Sequence, residues 1–157
     1  MDKKPYIFQI ALLATVLLWA DGVPGRAEDK PAPRDKVCKN EAGVAAGGYD
    51  VVSYFSAKRP ELGSPLFTLK REGAEYRFVS TQHRDQFAAN PDAYLPQYGG
   101  HCSWALSKGK TMASDPQAWL IHKGKLYLVS SRDALSLFEA DVATAIRQAD
   151  EIWKRLY

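Results

Sequence analysis

Twice in this chain an alternating run of apolar residues stops at a short glycine turn and then resumes. Leu66 to Lys70 and Glu75 to Val79 flank Arg71-Glu72-Gly73-Ala74; Ala118 to His122 and Lys125 to Val129 flank Lys123-Gly124. A side-chain period of two on both sides of such a turn predicts an antiparallel hairpin. In the first pair, Phe67 and Leu69 alternate with Thr68 and Lys70, and Tyr76 and Phe78 flank Arg77, so one face is buried. In the second, Trp119, Ile121, Leu126 and Leu128 mark the alternation. Each hairpin leads into helix. Gln82 to Ala89 follows a Ser80 or Thr81 cap and ends at Asn90-Pro91, where a proline suits the first position of a new turn. Arg132 to Ala140 follows Ser130 or Ser131, and Asp141 opens the last helix. There Val142, Ile146, Ala149, Trp153 and Leu156 recur at spacings of three and four, an apolar stripe. Hairpins mixed with helices define an α+β fold: a small antiparallel sheet built from two β-hairpins, several short helices, and a C-terminal amphipathic helix.

The first residues read as an export signal. Lys3 and Lys4 form a basic start, Tyr6 to Ala20 is apolar apart from Gln9 and Thr15, and Gly25-Arg26-Ala27 offers small residues for cleavage after Ala27. A span of this length falls short of the ~20 residues a membrane helix needs. The expectation is a signal peptide over 1–27, a flexible Pro-rich leader over 28–42, and one domain over 43–157, with a periplasmic or secreted location. Within the leader, a docked strand is expected at most over Lys36–Lys39. The formal charge of +3 falls to +2 once residues 1–27 are removed, and no run of like charge exists. Nucleic acid is therefore not an expected partner, and no stable membrane insertion is expected after cleavage.

Chemistry concentrates in Tyr98-Gly99-Gly100-His101-Cys102-Ser103-Trp104. Two glycines permit positive φ and close approach of backbone to a ligand. Cys102 to Ser107 lacks Pro and Gly and suits a short helix, which puts Cys102 at a helix start, where N–H groups favour a thiolate. Cys102 is the candidate nucleophile if the protein is redox-active, or a soft-metal ligand alongside His101 and His83. Export allows a Cys38–Cys102 bridge; the alternative is two free thiols. Tyr49, Asp50, Tyr98, Gly99 and Gly100 are candidate ligand-binding residues, with Tyr49 and Tyr98 as aromatic pocket walls if they converge on Cys102. Asp50 also reads as the N-cap of a helical turn running into Val51-Val52-Ser53-Tyr54-Phe55. No Ser-His-Asp, phosphate-loop or dinucleotide motif is present.

Glu75-Tyr76-Arg77-Phe78-Val79-Ser80, with Phe87, Asn90-Pro91 and Tyr94-Leu95, resembles the YHS domain family. The wider chain resembles its exported single-domain members, the branch with selenocysteine-containing proteins. The shared segments are Gly48 to Phe55 (with Val51 where proline is usual), Gln97 to Cys102, and Asp115-Pro116-Gln117-Ala118-Trp119. The resemblance covers about residues 43 to 157 and implies a binding module. Its metal, copper first, is inferred from cysteines at three family positions, which here read Ser53, Val79 and His83. That departure weakens a thiolate metal site at those positions. The expected function is binding of a soft metal ion or small molecule near Cys102. The alternatives are a thiol oxidoreductase using Cys102, and an interaction domain presenting a free apolar stripe on its last helix.

Overall fold

The computed structural model describes residues 35–157. The expected signal segment, the cleavage position and residues 28–34 lie outside the described residues. Among the described residues, five α-helices and four strands follow one another: α1 (Ser53–Ser56), β1 (Ser64–Arg71), β2 (Ala74–Phe78), α2 (Thr81–Ala89), α3 (Ser103–Ser107), β3 (Asp115–His122), β4 (Lys125–Val129), α4 (Arg132–Ala140) and α5 (Val142–Leu156). This is the α+β fold expected from the hairpin and helix patterns. β1 pairs antiparallel with β2, and β3 with β4, as two separate two-stranded sheets.

The first hairpin is one-sided. Ala74, Tyr76 and Phe78 are buried along β2, while Glu75 and Arg77 alternate outward and pair with each other at 2.9 Å. Phe87 of α2 closes the inner face, with ring centroids 5.1 Å from Tyr76 and 5.2 Å from Phe78. Ser80 caps α2 by accepting from the His83 amide at 3.2 Å.

The second hairpin is two-sided. Leu126 and Leu128 belong to one apolar cluster, with Val51, Tyr54, Tyr76, Phe78 and Phe87. Tyr127 and Val129 belong to another, with Tyr98, Cys102, Leu106, Phe138 and Ala149. Successive side chains of a strand point to opposite faces, so β4 is a partition with a core on each side. The α5 stripe lies on the second cluster, Ala145 and Ala149 being buried there beside Ile146 and Trp153. The stripe is therefore packed rather than free, which removes the ground for an interaction domain docking through it. Among the described residues, no helix is long and apolar enough to cross a membrane.

The leader expectation needs correction from residue 35 onward. Val37 is buried in the first cluster, Lys39 bridges to Ala45, and the Cys38 amide donates to Gly99 O at 2.8 Å. The buried Val37 side chain, these backbone contacts and the bonds that Asp35 O accepts from His101 and Tyr157 dock a segment whose polar composition suggests a loose tether.

Candidate functional site

Tyr98, Gly99 and Gly100 have φ of 56°, 60° and 81°, three left-handed residues in succession. Tyr98 has a Cβ and adopts this conformation at a cost of about 1–2 kcal/mol. Its ring compensates by packing on Tyr127 and Trp153, while its hydroxyl donates to Asp150 Oδ1 at 2.9 Å. Burial, reinforced by that bond, pushes the phenol well above its ordinary range. The glycine pair does admit a close approach, but from the chain itself. A Cβ on Gly99 would meet Lys36 O at 1.9 Å. The opening expected to face a ligand is filled by backbone of residues 36 and 37.

Cys102 is the N-cap of α3, so the expected helix start is where the structure puts it. The sulfur accepts from the Ala105 amide at 3.4 Å and the Ser130 amide at 3.2 Å. The residue is fully buried, in the second cluster. Cys102 thus has amides aimed at it and no surface of its own. Cys38 and Cys102 are both free thiols, which closes the question of a bridge between them.

The reachable thiol is Cys38. It is half-buried and lines a pocket of ≈ 210 Å³ together with Asp35, Lys39, His101, Thr111 and Met112. Burial pushes the Cys38 thiol up, against a hydrogen bond from the Ser114 backbone that lowers it. His101 is 8% exposed. Its Nε2 lies 3.0 Å from Asp35 O. A carbonyl only accepts, so Nε2 carries the proton. Nδ1 is buried and has no hydrogen-bond partner among the described residues. Met112 is half-exposed, and its carbonyl accepts from the Cys102 amide at 3.0 Å, which ties the pocket wall to the start of α3.

His83 is elsewhere. Its Nδ1 lies 2.6 Å from Asp50 Oδ2. Asp50 is fully buried and also accepts from the Val52 amide at 2.8 Å and the Val79 amide at 2.9 Å. Asp50 therefore does not cap α1, whose N-cap is Val52; it organises the turn before the helix and pins the end of β2. On the far side of the ring, His83 Nε2 lies 3.4 Å from Ser56 Oγ. A Ser-His-Asp line absent as a sequence motif is thus present in space. Ser53 also lies here: it donates to Asp50 O at 2.7 Å, beside the Val79 amide and His83.

The metal set expected from the sequence is not one site. Cys102 is sealed, His101 faces the Cys38 pocket, and His83 is bonded to Asp50. Among the described residues, no three His, Cys, Asp or Glu side chains converge as a cage. Nor do Tyr49 and Tyr98 meet at Cys102. Tyr98 shares the second cluster with it, while Tyr49 bridges to Leu62 and accepts from Gln117 at its hydroxyl. The residues sequence reasoning missed are Cys38, Met112 and Ser56. Cys38 stood in a polar stretch with no periodicity, and Met112 in a loop with no motif. Only the docking of residues 35–39 brings those two together. Comparison of the chain with family models, curated proteins and solved structures found no match.

Proposed function

We propose that the chain is an exported YHS-type binding module that takes a soft metal ion, Cu(I) first, in the pocket of Cys38, His101 and Met112. One observation carries this reading: Cys38, His101 and Met112, whose side chains end in a thiol, an imidazole and a thioether, line a single pocket. Thiolate and thioether select soft ions such as Cu(I), and imidazole suits copper as well. The resemblance over residues 43 to 157 supports the class of module, and the basic-then-apolar pattern of residues 1–27 supports export. Anaerobic Cu(I) titration against a chromogenic competitor tests it. The expected result is one ion retained per chain, lost in Cys38→Ser, weakened in Met112→Leu and kept in Cys102→Ser. Equal retention by the Cys38→Ser chain would overturn the reading.

A second reading, a thiol oxidoreductase using Cys102, is favoured by the two amides on its sulfur. Complete burial of the residue opposes it. Alkylation of Cys102 in the native protein decides it.

A further inference from the structure

We propose that Ser56, His83 and Asp50 form a separate acyl-transfer site that cleaves small esters. The array has the nucleophile-to-base and base-to-carboxylate relations such chemistry uses. A buried carboxylate, with no solvent exposure, orients an imidazole through Nδ1 at 2.6 Å. That imidazole is itself 16% exposed. Its other nitrogen faces an exposed hydroxyl at 3.4 Å, at the long end of what catalytic hydrogen bonds show without substrate. The carboxylate is fixed independently of the ring by two backbone amides, so it holds the ring rather than being held by it. Three different segments supply the groups: the turn before α1, the end of α1, and the first turn of α2. Ser56 stands at the surface, so its acyl donor arrives from solvent, and a small ester is the first to test.

In the first step Ser56 Oγ bonds to the acyl carbon while His83 Nε2 takes the hydroxyl proton. The ester C–O bond then breaks, and the same proton leaves with the alcohol. Water next gives a proton to Nε2 and bonds to the acyl carbon. The Ser56 ester breaks, its oxygen regains the proton, and the carboxylic acid departs. Ser56 and His83 are the catalytic residues, and Asp50 is a positioning residue.

The chain contains its own control. Ser56 Oγ donates to Val52 O at 3.2 Å, and Ser136 Oγ donates to Arg132 O at 3.2 Å. Both hydroxyls are exposed and helical, but only Ser56 has an imidazole. The full chain is treated with a fluorophosphonate probe, adducts are mapped by mass spectrometry, and p-nitrophenyl acetate turnover is followed in parallel. Ser56 is expected to label at least ~10²-fold faster than Ser136, the range a positioned base contributes. His83→Gln should bring the two rates together, and Ser56→Ala should remove both adduct and turnover. Equal labelling of Ser56 and Ser136 in the unsubstituted chain would overturn the proposal. So would turnover that survives Ser56→Ala. The internal comparison needs no variant to fold.

Discussion

A sulfur can be well hydrogen-bonded and still out of reach. Cys102 receives two amides and touches no solvent, whereas Cys38, in the docked segment ahead of α1, lines a pocket. The two thiols therefore differ in access, and iodoacetamide reads the difference. Cys38 should alkylate in the native chain, slowed by the burial that keeps its thiol protonated. Cys102 should react at least about a thousandfold more slowly than in denaturant, because only opening of the fold exposes it. Comparable rates for both would contradict the burial and revive the oxidoreductase reading. At this scale the sequence was informative about Cys102, since a cysteine just before an uninterrupted run reads as a helix start. It was silent on Ser56. An Asp, a Ser and a His spaced by six and twenty-seven residues make no motif, and only the seating of α2 on the first hairpin aligns them.

Among the elements, hairpins and helices were legible because period, turn glycines and capping side chains all agreed. β4 was legible as a strand but not as a partition. Leu126 and Leu128 mark its alternation, but Tyr127 and Val129 between them are buried as well, on the opposite face. The segment 35–39 was the least legible, since a strap held by one buried valine and by backbone hydrogen bonds has no pattern to read. Gly99 fixes that strap. Gly99→Ala places a methyl group against Lys36 O and adds about 1 kcal/mol for a left-handed alanine. The expected outcome is a detached strap: faster Cys38 alkylation, loss of Cu(I) retention, and little change in the hairpins by circular dichroism. An unchanged Cys38 rate would show that the strap does not need the glycine.

Across the whole molecule, the two cores on either side of β4 each enclose tyrosines. Burial is the first cause raising the phenols of Tyr54, Tyr76 and Tyr98; Tyr76 is pushed up to about 12 from an ordinary 10.0. A group whose folded value is raised contributes stability that is complete below its unfolded value and disappears as pH climbs through the folded one. Stability should therefore hold up to pH 10 and fall towards pH 12. Tyrosinate absorbance and far-ultraviolet circular dichroism should change together in that interval. Ionisation of all the phenols with the dichroism intact would show that the cores do not resist the charge.

The carbonyl of Asp35 joins distant parts of this architecture. It accepts from His101 and from the hydroxyl of Tyr157, a contact spanning 122 residues. Closing so long a loop costs more chain entropy than closing either hairpin. The hairpins can form while that carbonyl is still unclaimed, so the wall bearing Cys38 is completed late in folding and frays early in unfolding.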